Sequence, residues 1–412
     1  MTKKRIIIAG GGFGGITAAL TLAREKKLLT RHGYEIVLID RHHHQLFTPA
    51  LYEIAALPKE MGRDGELKSF MLIPFSEIFE RGDVTTVCDE IVDINFSKKE
   101  LTLKKDGSLG FEFLVLALGS ETNYFNIPGL KDYSFPLKTF DDAIRLRNKI
   151  ESSVQKSGHL KIAVGGAGAS GVELIAEFVN FVCAIKEKED KNNICDVEYV
   201  LIEAGPEILA GLPKKAITLS RMRLEKLGVA IRVRSAISSV SAQEITYADK
   251  TKETFDILVW TGGVRGPELL EKLNLPLTPK GAIAINEYLR VGNEKTIYAI
   301  GDNSSMLNPK TDKLLPWTVP IAESQGRITA KNIILQILNL APKKFVPLKE
   351  YPFVLAIGEK YAIADLVLFR ISGILGWIIK QLVELRYLLF ILSPRKAIIA
   401  WVRAVRVYSS ND

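Results

Sequence analysis

The 412 residues carry 47% hydrophobic and 25% charged side chains with a formal net charge of +8, the balance of a folded globular chain of two or three domains with ample core. Three cysteines, Cys88, Cys183 and Cys195, form no Cys-x-x-Cys pair, which argues against a disulfide framework and fits a reducing compartment. No secretory signal is visible ahead of the first motif.

Arg5-Ile6-Ile7-Ile8-Ala9 reads as a strand, and Gly10-Gly11-Gly12-Phe13-Gly14-Gly15 follows it into an alanine- and leucine-rich helix. Glycines at 10, 12 and 15 spell G-x-G-x-x-G. The first permits a tight turn, the second lets the backbone approach a pyrophosphate, and the third lets helix and strand pack closely. The helix start offers free N–H groups and partial positive charge to phosphates. A second strand, Glu35 to Ile39, ends in Asp40, placed for a ribose hydroxyl, with Arg41 behind it. The run His42-His43-His44 reads as a polar loop; adjacent residues point in different directions, and no metal is expected. A loop to Met61 and a strand-rich stretch follow, closing with Phe113 to Leu118 and then Gly119-Ser120.

A second unit opens near Leu160. Lys161-Ile162-Ala163-Val164 precedes Gly166-Ala167-Gly168-Ala169-Ser170-Gly171, and the strand Glu198 to Ile202 ends in Glu203. It closes as the first does, with Ile257 to Trp260 and then Thr261-Gly262-Gly263. One such fingerprint is weak; two, each flanked by strand, helix and acid, imply two dinucleotides held together and electron transfer between them. Glu203 would accept from a ribose 2′-OH and repel a 2′-phosphate, and Ala204 and Gly205 supply no neighbouring arginine, so NADH is expected over NADPH. The repetition predicts an α/β architecture with the second domain inserted into the first. The strand Thr296 to Asp302 returns the chain to the first domain, a helix spans about Ile321 to Leu340, and Pro342 to Pro347 links to a distinct tail. The expected boundaries are 1–120 with 271–340, then 121–270, then 341–412.

The tail's longest charge-free run, Ile371 to Ile379, is far short of the roughly 20 residues that span a bilayer. Arg370, Lys380, Arg386, Arg395, Lys396, Arg403 and Arg406 outnumber Glu384 and Asp412. After Ser393 and Pro394 a helix is expected, with Ile398, Trp401, Val402 and Val405 on one stripe and basic residues beside it. That is the pattern of a helix lying in a membrane interface; a helix covering the core or a dimer contact is the alternative.

The chain resembles the type II NADH dehydrogenases, single-subunit flavoenzymes that pass electrons from NADH to quinone. The resemblance covers essentially the whole length. It rests on Leu46-Phe47-Thr48-Pro49-Ala50-Leu51-Tyr52, Ala117-Leu118-Gly119-Ser120-Glu121-Thr122-Asn123-Tyr124-Phe125 with Ile127-Pro128-Gly129, Gly171-Val172-Glu173-Leu174, Ala299-Ile300-Gly301-Asp302 and Ala362-Ile363-Ala364-Asp365-Leu366. It implies two Rossmann-like, glutathione-reductase-like domains, FAD in the first and NADH in the second, and a C-terminal amphipathic membrane-associating region. It further implies a quinone acceptor, no proton pumping, and a peripheral place on an anionic lipid surface at the cytoplasmic face of the cell membrane. No nucleic-acid partner is expected; a homodimer through the tail is an open alternative.

Under this resemblance the cofactor-binding set is Gly10, Gly12, Phe13, Gly14, Gly15, Asp40, Arg41, Thr48, Pro49, Ala117, Gly119, Gly301, Asp302, Pro320 and Ile321 for the flavin, and Gly166, Gly168, Gly171, Glu203, Gly262 and Gly263 for NADH. Asp302 is expected at the ribityl or phosphate region, Thr48 and Pro49 beside the isoalloxazine, and the helix after Thr318 aimed at the flavin. Glu173 is the catalytic candidate, placed near the nicotinamide–flavin junction in a first helical turn, where an acid also suits the macrodipole. Glu177 is expected to be structural. The sequence departs from the family's A-Q-x-A-x-Q, having Pro320 and Ser324 at the two glutamines, and has Gln45 where a histidine often stands; this leaves the acceptor's identity open. Sulfide:quinone or disulfide reduction would need a reactive cysteine pair by the flavin, and a non-catalytic NADH/FAD sensor is the reading from another class.

Overall fold

The computed structural model describes residues 3–155, 159–189 and 196–409. The principal elements in chain order begin with β1 (Lys4–Ala9), α1 (Phe13–Ala23), β2 (Tyr34–Asp40), α2 (Leu51–Ala55), β3 (Thr85–Cys88), β4 (Phe113–Leu116) and β5 (Phe135–Pro136). Next come β6 (Leu160–Gly165), α3 (Ala169–Glu189), β7 (Val197–Ile202), α4 (Lys214–Lys226), β8 (Val229–Arg232), β9 (Ile257–Trp260), β10 (Ile297–Ala299) and α5 (Val319–Ile337). The tail holds β11 (Phe353–Ala356), β12 (Ala362–Asp365), β13 (Arg370–Gly373), α6 (Ile374–Ile391) and α7 (Pro394–Tyr408). They divide into two units, one of Met1–Leu46, Leu72–Glu121 and Val264–Lys349, the other of Phe47–Met71, Thr122–Gly263 and Glu350–Asp412.

The first unit is built on the parallel sheet β10-β4-β1-β2-β3. Its central strands β1 and β4 carry continuous apolar runs because both faces are covered: Ile6, Ile7, Ile8 and Leu114 to Leu116 have no exposed surface. β10 pairs with β4, which brings the chain back to this sheet after the insertion. Helices α1 and α5 cross closely at two glycines; a Cβ on Gly326 would lie 2.4 Å from the Gly14 carbonyl oxygen.

The second unit repeats the plan in the parallel sheet β5-β9-β6-β7-β8, with β9 standing to β6 as β4 stands to β1. The residues of the tail belong to this unit, as does 47–71. The antiparallel sheet β11-β12-β13 is seated by its first turn. Gly358, at φ +63, has its Cβ position 2.8 Å from the Ala176 carbonyl oxygen on α3, and Arg223 of α4 donates to the carbonyls of Ile357 and Gly358, each at 3.2 Å.

The first three turns of helix α6 invert the usual amphipathic pattern. They bury Gly376, Lys380, Gln381 and Glu384 and expose Ile374, Leu375, Ile378 and Leu382, whereas the last turn buries Tyr387, Leu388 and Ile391 and exposes Leu389. Helix α7 begins at Pro394 as expected, though Ser393 makes no side-chain cap bond. The expected stripe is corrected: Trp401 donates its Nε1–H to the Gln381 carbonyl at 2.9 Å and so faces α6, and Val405 is half-buried. The exposed apolar row is Ile398, Ile399 and Val402, with Arg395, Arg403 and Arg406 also exposed. Among the described residues no helix is long and apolar enough to cross a membrane.

Gly376 marks where α6 rests on β12; a Cβ there would lie 2.1 Å from the Ala362 carbonyl oxygen. Gly to Ala inside a helix ordinarily gains about 0.5–1 kcal/mol, but here the methyl must displace backbone, and overpacking of this kind costs about 1–3 kcal/mol. Gly376→Ala is therefore expected to lower the urea midpoint. A higher midpoint would show that α6 is free to lift from β12.

Candidate functional site

The first cradle forms at the C-terminal end of β1. Gly10 has φ +111, and a Cβ on it would lie 2.2 Å from the Ala117 carbonyl oxygen, in the loop after β4. A Cβ on Gly15 would meet the Gly10 carbonyl oxygen at 2.0 Å, whereas one on Gly12 would meet nothing within 4 Å. The outer glycines hold the turn against its neighbours; the middle one faces the open space a pyrophosphate needs. Asp40 ends β2, and its two carboxylate oxygens accept the Gly11 N–H at 2.7 Å and the His42 N–H at 2.8 Å. The acid is thereby fixed before any ribose arrives. Phe13 starts α1, Gly14 after it is buried against Ala322 and Ile300, and Arg41 is exposed with its carbonyl accepting from the Cys88 thiol at 3.5 Å.

Further residues of the set line a cleft in the same unit formed by Gly301, Asp302, Trp317, Thr318, Ile321 and Gln325. Ser120 Oγ donates to Asp302 at 2.9 Å, joining the loop after β10 to the loop of Gly119 (φ +73). The Gly301 N–H donates to Gln325 Oε1 at 2.7 Å, a buried contact the sequence reading missed. Thr318 and exposed Pro320 open α5, whose positive end faces this cleft, and Ile321 is buried behind them.

The second cradle repeats the first contact for contact. Gly166 has φ +101 and a Cβ position 2.3 Å from the Gly262 Cα; Gly171 would meet the Gly166 carbonyl oxygen at 2.0 Å, and Gly168 faces open space. Glu203 accepts the Ala167 N–H at 2.9 Å and the Gly205 N–H at 2.7 Å. The Gly263 carbonyl accepts the Asn123 N–H at 3.0 Å. Beyond Glu203, exposed Arg234, at φ +54, donates its backbone N–H to the Gly205 carbonyl at 2.7 Å.

Glu173 lies beyond the first turn of α3, which begins at Ala169 and has no acid in that turn. This corrects its expected position. The macrodipole fades within one turn, so the helix-end account of this acid loses its basis. Its carboxylate accepts the Ala356 N–H at 3.4 Å, and around it stand Glu53, Glu384 and Lys380. Lys380 Nζ binds Glu384 at 2.8 Å and also Glu53, whose Oε1 accepts the Tyr52 hydroxyl at 3.1 Å. The rings of Tyr52 and Tyr408 lie 5.7 and 5.6 Å from that ammonium. Burial pushes Glu173 up to about 8; Lys380 and the Ala356 amide oppose the shift, while Glu53 and Glu384 add to it. Burial works to lower Lys380, but Glu384 and Glu53 outweigh it and keep it a cation. Thr48 and Pro49 sit exposed on a short helical turn, Thr48–Ala50, that leads into α2 and so into Tyr52 and Glu53. Cys88 and Cys183 are in no disulfide among the described residues, and Cys195 lies outside them.

Two cradles of one design, each with its acid clasped by the fingerprint's own backbone, define an oxidoreductase fold for two dinucleotides, and the residues present fit FAD in the first and NADH in the second. The chain belongs to the pyridine nucleotide-disulphide oxidoreductase family, whose pattern matches residues 4–326. It is 30% identical to demethylphylloquinone reductase NdbB of Synechocystis sp. over 93% of this chain and 92% of that one. It is 28% identical to a type II NADH:quinone oxidoreductase of Staphylococcus saprophyticus, covering 80% and 82%. In fold it is similar to NDH2 from Plasmodium falciparum in complex with NADH, with TM-score 0.80, 19% identity and 99% of each chain covered. It is also similar to the sulfide:quinone oxidoreductase of Aquifex aeolicus, with TM-score 0.76, 18% identity and 94% and 91% covered.

Lys380→Met strands Glu53 and Glu384 in a desolvated place. A loss of about 3–5 kcal/mol is expected in equilibrium unfolding, with the Glu173 titration moved further above 8. Unchanged stability would mean that the carboxyls share the proton without needing the ammonium.

Proposed function

We propose that the chain is an FAD-dependent NADH:quinone oxidoreductase that works at a membrane surface without proton pumping. The observation that carries this reading is the pair of matched cradles in one chain. A protein that binds one nucleotide has no use for the second Gly-x-Gly-x-x-Gly turn and the second clasped acid. Bound FAD supplies the two-electron redox chemistry, and the protein supplies orientation and electrostatics. Asp40 and Glu203 receive the two riboses, the glycine turns admit the two pyrophosphates, and the positive start of α5 favours negative charge in the cleft of Asp302.

Glu173 is the proton-handling group of this reading. A carboxyl held near 8 keeps its proton at neutral pH and exchanges it readily. The inverted face of α6 supports a membrane location: apolar side chains turned outward suit lipid, and the exposed arginines of α7 suit anionic headgroups. We place the protein peripherally, at the cytoplasmic face of the cell membrane. A homodimer through the same face is the competing use of that surface.

NADH oxidation measured with quinone in anionic vesicles and with a soluble acceptor tests the assignment. The expected result is a yellow protein with one non-covalent FAD that reduces both acceptors. A well-folded, colourless protein that cannot be reconstituted with FAD would refute it. Glu203 should favour NADH over NADPH; equal kcat/KM for the two nucleotides would remove Glu203 from nucleotide choice.

Glu173→Gln should keep FAD and lose on the order of 10²-fold in turnover. The sign of its pH effects follows from the raised value. The folded state holds this proton more tightly than the unfolded one, so the stability it contributes is present below the ordinary carboxylate range and is lost as pH rises towards about 8. The wild-type rate should fall across the same limb, and both limbs should vanish in the variant. Wild-type rates in both half-reactions would reduce Glu173 to a structural residue.

A further inference from the structure

The hairpin between β12 and β13 ends in four apolar residues, Leu366-Val367-Leu368-Phe369, and Leu368 is 90% exposed and Phe369 57% exposed. An apolar turn this open is unusual, and its backbone is more so. Val367 has φ +70, and the Leu368 N–H donates to the Leu366 carbonyl at 2.9 Å. That is the rare, strained γ-turn, built around a β-branched residue that resists positive φ. The strain is held from below. The Val367 N–H donates to Asp365 Oδ1 at 2.9 Å, and Arg370 Nε donates to Asp365 Oδ2 at 2.9 Å, with a second guanidinium contact to the same oxygen. The Leu366 N–H donates to the Phe369 carbonyl at 2.9 Å. Three successive tip amides are therefore satisfied inside the turn, and the one acid at its base is neutralised by the arginine across the hairpin.

We infer that this tip is a membrane-inserting wedge. The inference rests on the membrane-surface reading above and adds a site that reading did not contain. In hydrocarbon an unsatisfied N–H is far costlier than in water, so internal satisfaction of the tip donors has a purpose in lipid that it lacks in solvent. The Asp365–Arg370 pair closes the wedge where charge belongs at the headgroup level. Along the chain the tip continues into the outward row of α6 through Ile374, Leu375 and Ile378. The exposed Arg395, Arg403 and Arg406 of α7, in the same unit, complement an anionic surface.

The experiment uses full-length holoprotein and sucrose-loaded vesicles of phosphatidylglycerol and phosphatidylcholine. Leu368→Asp/Phe369→Asp should weaken cosedimentation at least tenfold while flavin content and NADH oxidation with a soluble acceptor stay unchanged. Leu368→Trp should gain fluorescence that dibrominated lipids quench beyond the quenching of the wild-type tryptophans. If wild type binds and the double variant binds equally well, or the added tryptophan is not quenched, the wedge is refuted and the membrane reading stands. If wild type does not bind at all, the membrane reading itself has failed. If the double variant instead turns a dimer into a monomer in sedimentation velocity, the tip is a contact between copies and the wedge is overturned.

Discussion

Both nucleotide sites depend on one close approach: the contact of the first fingerprint glycine with the backbone of the neighbouring loop at the crest of each parallel sheet. Gly10 lies against the Ala117 carbonyl and Gly166 against Gly262. No other residue can stand there, because each position combines a positive φ with a neighbouring backbone atom nearer than any Cβ tolerates. With the turn so held, the next N–H of each fingerprint, at Gly11 and Ala167, points at the acid that ends the adjacent strand. The acid is thus part of the turn's own hydrogen bonding. Removing the carboxylate would orphan two backbone donors.

The tail solves a different problem with a related logic. Helix α6 presents Lys380 and Glu384 inward, which would be costly if they met an apolar core. They meet Glu53 from α2 and the aromatic faces of Tyr52 and Tyr408 instead. One ammonium stands among several buried carboxyls, so burial and carboxyl–carboxyl repulsion act together on Glu173. Its raised pKa is a property of the cluster, not of its place on α3. The apolar outer face of α6 and the charged inner face are therefore two sides of one arrangement.

The sequence displayed the cradles well because their grammar is local: strand, glycine turn, helix, strand, acid, all within about forty residues. Asp40 and Glu203 could be named from spacing alone. The return strand at Ile297–Ala299 was legible for the same reason, ending as it does in Gly-Asp. What stayed hidden depends on distance along the chain. Lys380 and Glu53 are 327 positions apart, and nothing in either neighbourhood announces the other. Gln325 sits one residue past the stretch from Val319 to Ser324, whose local pattern does not announce that it holds Gly301. The backbone of Arg234 meets that of Gly205 because β8 lies beside β7. In the tail, a period-3.6 count identified a stripe on α7 but could not say which side of it was inward; Trp401 lies on that stripe and turns to the Gln381 carbonyl.

The same ambiguity bears on the acceptor side. Pro320 and Ser324 read in sequence as losses, since two glutamines are missing. In the structure Pro320 occupies the first turn of α5, where a missing N–H is tolerated because the first N–H groups of a helix have no intrahelical partner. The helix start is intact, Gln325 is committed to the Gly301 amide, and Glu323 is buried against Arg327 at 2.8 Å. Gln325 and Glu323 are thus engaged in holding the Gly301–Asp302 loop and the helix itself. A buried group with a proton to exchange near neutral pH is Glu173, on the unit that also carries the tail.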